Sequence, residues 1–183
     1  MSIRTIVVTG PESSGKTTLA NALARHLACP LVPEAARELL APHTPYTPGT
    51  LLRLARAQVD GERAARQHNP ALVVADTDLQ VLRIWWQEKF GPCPRDSLER
   101  NASAAAERFY LLCRPDLPWE TDPLRENPQD RDRLFDLYRA DLAGRDLNYG
   151  IVEGRGNERL ACALHVLPQG LTRLSRRDAS TPV

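Results

Sequence analysis

Residues 10–17 have the spacing G-x-x-x-x-G-K-[ST], which is typical of loops that bind the phosphates of a nucleotide. In such loops, backbone N–H groups and the start of the following helix surround phosphate oxygens, provided that a strand precedes the loop. We expect the Lys16 ammonium to reach the β- and γ-phosphates and the Thr17 hydroxyl to bind Mg²⁺. The motif therefore predicts a site for ATP and Mg²⁺. Further candidate ATP-binding residues in and next to it are Gly10, Glu12, Ser13, Ser14, Gly15 and Thr18.

A second candidate metal ligand follows an apolar segment. Residues 72–76 read LVVAD, a buried-strand pattern that ends in the carboxylate of Asp76. In nucleotide-binding proteins a carboxylate at this point holds Mg²⁺, whereas in many other proteins it caps the next helix. Because the phosphate motif is present, we assign Asp76 to the metal site. Asp78 lies two residues further on, in a position to cap the helix, bind an acceptor or take part in catalysis.

The segment 32–38, VPEAARE, contains a candidate general base. A kinase for a small molecule needs a carboxylate near the acceptor hydroxyl, which must lie in line with the γ-phosphate. Glu34 follows the short apolar segment after the predicted phosphate-loop helix and suits that role, with Asp78 as the next choice. The alternative interpretation is a glutamate that stabilises a helix N-terminus through the helix dipole.

The segment 115–133, rich in proline and arginine, has the composition of a mobile lid. Arginines that arrive when a lid closes can stabilise the charge on a transferring phosphoryl group, and closure also excludes water. We expect Arg125, Arg131 and Arg133 to supply this charge. The alternative is that each is a solvated surface arginine.

Few aromatic residues are available to stack on a planar ring. Tyr46, in a loop on the expected acceptor side, and Trp119, in the predicted lid, are candidates for substrate binding. Gln58 is a candidate for a hydrogen bond to the acceptor, although a polar helix face also explains it. Trp85 and Trp86 lie in the middle of a predicted helix, and we expect them in the core or at an interface.

These residues need a scaffold in which strands and helices alternate. Apolar runs predict strands at 3–9, 31–33, 71–75, 109–113 and 149–152. Apolar residues at helical spacing predict helices at 15–28, 34–40, 50–67, 79–90, 97–106, 130–143 and 157–166. This alternation predicts an α/β fold of the P-loop NTPase type, with a mainly parallel five-stranded sheet, helices on both faces and an arginine-bearing lid. We expect one domain over residues 1–167 and a polar tail at 168–183.

Composition narrows the functional class. The 183 residues include 24 Lys plus Arg and 23 Asp plus Glu, and the resulting net charge of +1 argues against a nucleic-acid partner. Because the sequence shows neither an apolar run of membrane-spanning length nor a signal peptide, we expect a cytoplasmic protein without a membrane partner. The guanine-recognition sequence N-K-x-D is absent, and the length does not suit motor or AAA+ machinery. A kinase for a small-molecule acceptor fits these limits.

Four blocks in order resemble the ribosylnicotinamide (nicotinamide riboside) kinase domain of NadR-type proteins, within the P-loop kinase superfamily. They are GPESSGKTTL at 10–19, PEAARE at 33–38, ADTD at 75–78 and LLCRPDLPWETDPLR at 111–125. The resemblance implies that ATP and Mg²⁺ are used to phosphorylate the 5′-hydroxyl of nicotinamide riboside, which gives nicotinamide mononucleotide. It also implies a lid containing Asp122 and Arg125, with Arg131 or Arg133 near the phosphates. Glu34, Asp76 and Asp78 would then surround the acceptor and the metal.

Two departures from the family pattern qualify these expectations. NadR-type proteins carry an adenylyltransferase domain before the kinase domain, whereas this sequence begins at the first strand of the kinase. We therefore expect a separate adenylyltransferase in the same pathway. The family has an aromatic residue that helps to hold the nicotinamide ring just before the glutamate of its E-x-x-R-E block, and here that residue is Pro33. The open alternatives are a kinase for another nucleoside or vitamin-like alcohol, and a nucleotide-binding regulator without turnover.

Overall fold

A five-stranded sheet carries the segments that the sequence singles out. The computed structural model describes residues 3–41, 46–68, 70–93, 98, 107–122, 124–169 and 171. Its strands are β1 (Thr5–Thr9), β2 (Leu31–Val32), β3 (Val73–Asp76), β4 (Arg108–Cys113) and β5 (Tyr149–Val152). Its helices are α1 (Lys16–His26), α2 (Ala35–Leu39), α3 (Pro48–Ala65), α4 (Leu79–Phe90), α5 (Arg131–Gly144) and α6 (Gly156–Val166).

All neighbouring strands of the sheet are parallel, in the order β2-β3-β1-β4-β5. In the central strand, β1, Ile6 and Val8 face one layer of helices and Val7 faces the other, and all three are fully buried. Because the strands are parallel, the loops that follow β1, β2, β3 and β4 meet at one edge of the sheet. β1 lies between β3 and β4, so the loop after β1 lies at the point of this edge where the strand order reverses. Open α/β sheets bind their ligands at such a point.

Helices cover both faces of the sheet. α1 and α6 pack on one face through an apolar cluster that includes Leu23 and Ala163. α3, α4 and α5 pack on the other face through a cluster that includes Leu54, Leu82 and Tyr138. Leu171 is also buried in the first cluster, so the core includes one residue of the segment 168–183.

The fold class predicted from the sequence is confirmed, because the sheet is parallel and five-stranded with helices on both faces. The predicted ends of the strands and helices differ from the observed ends by at most two residues. The helix predicted at 97–106 lies, except for Leu98, outside the described residues. Within the described part of the chain, no helix combines the length and hydropathy needed to cross a bilayer.

Candidate active site

The phosphate loop, residues 10–17, curls at the carboxyl end of β1. The Ser14 hydroxyl and the Lys16 ammonium both donate to the carbonyl oxygen of Pro11, at 2.7 and 2.8 Å. These two bonds draw the start of α1 back towards the beginning of the loop. The Lys16 ammonium is thereby held over the loop, where a phosphate could replace the carbonyl as its partner.

Left-handed backbone conformations make the curl possible. Ser13 has a φ of 51° and Gly15 a φ of 74°, and glycine adopts the second without a steric cost. Gly10 lies so close to β4 that a Cβ there would come within 2.7 Å of the Cys113 carbonyl oxygen, which explains the first glycine of the motif. Gly15 immediately precedes α1 and has no side chain to cap it, so no cap side chain takes the first N–H groups of the helix. The arrangement suits an anion.

A cavity of about 390 Å³ extends from the phosphate loop to the region between α2, α3 and α4. We call the part lined by Gly10, Glu12 and the residues 13–18 the phosphate end. The acceptor end is the part lined by Glu34, Arg37, Tyr46, Trp85 and Tyr138. Leu117 and Arg125 of the lid, residues 115–133, line the same cavity. One continuous space therefore connects the predicted nucleotide site with the predicted acceptor site.

Asp76 ends β3 and lies directly behind Thr17 of the phosphate end. Its side chain is buried, and its Oδ1 has no hydrogen-bond partner among the described residues. Burial raises the pKa of this carboxyl group, and a hydrogen bond with Thr17 opposes the shift. A buried carboxylate oxygen without a partner, next to a hydroxyl at a phosphate site, fits Mg²⁺. This ion commonly takes one or two protein oxygens and completes its coordination with phosphates and water.

Asp78, two residues later, is fully engaged inside the protein. Its Oδ1 accepts the N–H of Gln80 at 2.8 Å and caps α4, and its Oδ2 accepts from the Tyr110 hydroxyl at 2.9 Å and from Arg108 at 3.3 Å. Arg108 also binds Glu62 at 2.6 Å. Burial lowers the pKa of Arg108, but the charges of Asp78 and Glu62 raise it by more. Asp78, like Asp76, is not among the residues that line the cavity, and its three hydrogen bonds place it at the cap of α4 and in a buried polar network.

Glu34 immediately precedes α2 and lines the acceptor end. Its side chain is 17% exposed and lies 3.4 Å from the Nε of Arg37, and it makes no capping hydrogen bond to α2 within the described chain. Arg37 also donates to Asp122 of the lid. Partial burial would raise the pKa of Asp122, but hydrogen bonds from the Leu124 N–H and from Arg37 lower it. The geometry leaves the Glu34 carboxylate open to the cavity, as a general base requires.

Tyr46 and Trp85 form an aromatic pair at the acceptor end, with ring centroids 4.7 Å apart. The Lys89 ammonium lies 4.8 Å from the Tyr46 centroid and 5.3 Å from that of Trp85, within cation–π distance. Trp86 is buried in the core, as predicted. Trp85 packs against the same core, but it also lines the cavity, so the expectation of a core or interface position is incomplete for this residue.

The predicted lid contacts the phosphate loop. Arg125 donates to the Ser13 hydroxyl at 2.9 Å. The Glu12 carboxylate accepts the backbone N–H groups of Glu126 and Asn127, at 3.1 and 2.9 Å. Two adjacent residues of the loop therefore hold this segment, and Arg125 lines the cavity.

The other lid candidates differ in position. The guanidinium of Arg131 lies 3.4 Å from the Ser13 carbonyl oxygen and 5.9 Å from the ring of Trp119. Trp119 itself does not line the cavity. Arg133 has a side chain that is 47% exposed and pairs with Glu88 at 2.5 Å, so the structure does not bring it to the phosphate loop. Of the two arginines that the sequence proposes near the phosphates, Arg131 is the one beside the loop.

Gln58 acts inside the protein rather than at the cavity. Its Oε1 accepts the N–H of Ala35 at 3.0 Å, and its Nε2 donates to the Thr77 carbonyl at 3.2 Å. Gln58 is 3% exposed and does not line the cavity. These bonds hold Gln58 against the start of α2, next to Glu34, and the structure does not bring it to the cavity.

Arg37, Trp85 and Arg159 are among the cavity residues that escape prediction from the sequence. Arg37 stands in the matched block, three residues after Glu34, and that helical spacing is the signal that could identify it. Trp85 has no such signal, because the face of α4 that meets the cavity depends on tertiary packing. Arg159 binds the phosphate loop from the opposite end of the sequence, donating to the Ser14 carbonyl at 2.8 Å.

Comparisons with known proteins agree with this architecture. The model of the AAA domain family matches residues 5–159, and a comparison with curated proteins finds no match. The solved structure of NadR protein in complex with NR is similar, with a TM-score of 0.66, 20% identity, and coverage of 90% of this chain and 48% of that chain. A second NadR structure, with NAD and AMP-PNP, has a TM-score of 0.65 and 21% identity at the same coverage. The YorR protein of Bacillus subtilis, in complex with phosphorylated GDP, has a TM-score of 0.54, 15% identity and coverage of 98% and 99%.

At such low sequence identity these structures establish the fold alone, and the chain spans about half the length of the NadR structures. The resemblance to the NadR-type kinase domain is confirmed at the level of the fold. The family match concerns a single domain, so the expectation against long AAA+ machinery stays a prediction. The matched region runs from β1 to the first turn of α6, and so contains the phosphate loop, Asp76 and the predicted lid. The chain belongs to the AAA domain family.

Proposed function

We propose that this protein is an ATP-dependent kinase that phosphorylates the 5′-hydroxyl of nicotinamide riboside to give nicotinamide mononucleotide. The observation that carries the proposal is the continuous cavity, which joins a phosphate loop to a carboxylate and an aromatic pair. The four sequence blocks and the NadR protein solved with NR support this acceptor. The kinase domain we propose covers residues 1–167, with residues 168–183 as a tail.

The proposed reaction is a transfer of the γ-phosphoryl group from ATP to the acceptor oxygen. Glu34 takes the proton of the 5′-hydroxyl while the oxygen bonds to the γ-phosphorus and the bond to the β-phosphate oxygen breaks, which releases ADP. Lys16 and Arg125 stabilise the charge on the γ-phosphoryl oxygens. Thr17 and Asp76 would hold Mg²⁺, which when bound neutralises the β- and γ-phosphates. The closed lid excludes water and so limits ATP hydrolysis.

The acceptor end has features that suit a planar cationic ring. The ring of nicotinamide riboside is a pyridinium, and aromatic faces attract cations and stack on flat rings. Tyr46 and Trp85 supply two such faces, and Glu34 supplies a negative charge in the same part of the cavity. These side chains can hold the nicotinamide ring, as the aromatic residue at the position of Pro33 does in the NadR-type family. Pro33 itself is exposed and does not line the cavity.

One observation favours a second candidate function, a kinase for an uncharged nucleoside. The Lys89 ammonium lies within 5.3 Å of both ring centroids, so a cationic acceptor ring would meet a like charge there. Its ion pair with Glu126, at 2.6 Å, reduces this repulsion without removing it. An uncharged ring would meet no such repulsion.

The test is a kinase assay on the purified protein with ATP, Mg²⁺ and a matched pair of acceptors. Nicotinamide riboside and its reduced form have nearly the same shape, but only the first carries a ring charge. We expect mononucleotide formation, detected by mass spectrometry, to be more efficient with the cationic form. We also expect Trp85→Leu to raise the KM for the acceptor by about tenfold while the KM for ATP is unchanged.

Each alternative gives a different result. No mononucleotide at millimolar nicotinamide riboside rejects that acceptor. ADP formation with uncharged nucleosides only would favour the second candidate. Tight ATP binding without turnover on any acceptor would indicate a nucleotide-binding regulator.

A further inference from the structure

Arg159, in the first turn of α6, is a buried cation that binds four residues from three segments of the chain. It is 4% exposed. One terminal nitrogen donates to the Asp116 carboxylate at 2.7 Å and to the Gly154 carbonyl. The other donates to the carbonyl oxygens of Arg114 at 2.7 Å and Ser14 at 2.8 Å. A buried guanidinium needs such partners, because burial of an unpaired charge is costly.

The bond to Ser14 bears directly on the phosphate loop. The Ser14 carbonyl and the Gly15 N–H belong to one peptide unit, which is planar and trans, so the two groups point in opposite directions. Because Arg159 holds the carbonyl on the side of α6, the Gly15 N–H is directed to the other side, into the curl of the loop. Glycine has wide backbone freedom, and without this bond the peptide unit could rotate.

The Nε of Arg159 lies close to Gly15. It has no hydrogen-bond partner among the described residues. It lies 3.6 Å from the position that a Cβ of Gly15 would occupy, and Arg159 lines the cavity. The positive charge of Arg159 is therefore next to the phosphate end, where it favours an anion in the loop.

We propose that Arg159 is a positioning residue for nucleotide binding, which holds the Ser14–Gly15 peptide so that the Gly15 N–H faces the phosphates. The inference rests on the nucleotide-binding half of the proposed function and is independent of the identity of the acceptor. It predicts that loss of Arg159 weakens the binding of phosphate chains as such, whether or not a base is attached.

The experiment compares Arg159→Gln and Arg159→Lys with Arg83→Gln as the matched control. Arg83 is similarly buried and pairs with Asp141 at 2.7 Å, but it does not line the cavity. Calorimetry with MgADP and with inorganic tripolyphosphate gives Kd, and thermal unfolding gives Tm. We expect Arg159→Gln to weaken both ligands by about ten- to a hundredfold, since a charge-assisted hydrogen bond that orients the loop is lost.

Arg159→Lys keeps one donor for the Ser14 carbonyl, so we expect an intermediate loss of about three- to tenfold. Arg83→Gln should lower Tm without changing either Kd. Tripolyphosphate carries no base or ribose, so weaker binding of MgADP alone would overturn the proposal in favour of a role in base binding. Unchanged Kd values with a lowered Tm would overturn it in favour of a merely structural role.

If Arg159→Gln does not fold, Arg159→Lys decides the matter, and an unchanged affinity for tripolyphosphate in that variant overturns the proposal. Failure of the wild-type protein to bind either ligand would reject the proposed function together with this inference. Normal binding by the wild type and by both variants would reject only the role of Arg159.

Discussion

The two ends of the cavity are built in different ways. The phosphate end comes from one continuous stretch, residues 10–18, and local bonds such as that of Lys16 to the Pro11 carbonyl hold its shape. The acceptor end is assembled from the side chains of Glu34, Tyr46 and Trp85, which belong to three separate segments. A binding site formed mainly by backbone groups of one loop can keep its ligand when many side chains are substituted. A site formed by side chains from separate segments can change its ligand through a single substitution. The fold therefore shapes the phosphate end, whereas a few side chains from separate segments shape the acceptor end.

The largest effect should come from the phosphate end. We expect Lys16→Met to lower kcat/KM by about a thousandfold, because the variant loses a charge that stabilises the transferring phosphoryl group. Lys89, the other lysine of the chain, provides the contrast. Lys89→Met should change the KM for the acceptor and leave the KM for ATP as it is. Steady-state kinetics with each substrate varied in turn measures both, and a normal rate for Lys16→Met would refute the phosphate site.

The next effect belongs to the acceptor end. We expect Glu34→Gln to lower kcat by about a hundredfold, because the amide cannot take the proton of the hydroxyl, while the affinity for MgADP stays the same. Glu38→Gln is the matched control, since Glu38 is exposed, lies on the short helix that Glu34 immediately precedes and does not line the cavity. Single-turnover rates and calorimetry separate the two quantities. If kcat is unchanged, another group acts as the base.

The same difference between the two ends decides how much the sequence predicts. The phosphate loop is one motif whose spacing is fixed by local geometry, and the strand and helix pattern around it predicts the fold class. The strand order β2-β3-β1-β4-β5 does not follow from that pattern, because periodicity carries no information about which strands pair. For the acceptor end, the sequence predicts Glu34 and Tyr46. It misses Trp85, because the face that α4 presents to the cavity is set by packing against α3 and α5.

Asp76 and Asp78 also differ in how well the sequence predicts their positions, although they lie only two residues apart. In an extended strand, residues two positions apart, such as Asp76 and Asp78, face the same way. Thr77 between them has a φ of 66°, which is not extended backbone, so periodicity could not predict where Asp78 would point. We expect Asp78→Asn to lower the free energy of unfolding by about 2 kcal/mol, because hydrogen bonds to Tyr110 and Arg108 are weakened in a buried network. For a domain of this size that corresponds to a decrease in Tm of about 4–8 °C.

The matched variant for this prediction is Asp76→Asn. It should keep its Tm, or raise it, because the buried charge of Asp76 has an oxygen without a partner in the described chain, and it should lose most of its Mg²⁺-dependent turnover. Thermal unfolding and activity at saturating Mg²⁺ test the pair. A stable but inactive Asp78→Asn protein would reverse the assignment and return Asp78 to the list of candidate catalytic residues.

The smallest effect should come from Arg133, and it sharpens the limits of the phosphate end. Arg133 binds Glu88 and Asp130 on an exposed surface, and such pairs contribute little to the stability of the fold. These pairs also keep the Arg133 guanidinium away from the phosphate loop. We therefore expect Arg133→Ala to change kcat and the KM for ATP by less than about twofold. Arg125→Ala should lower kcat by about tenfold or more, because Arg125 lies on the loop at 2.9 Å from the Ser13 hydroxyl. Equal losses in the two variants would mean that the lid moves further during the reaction than this arrangement requires, and that Arg133 leaves its surface partners to reach the phosphates.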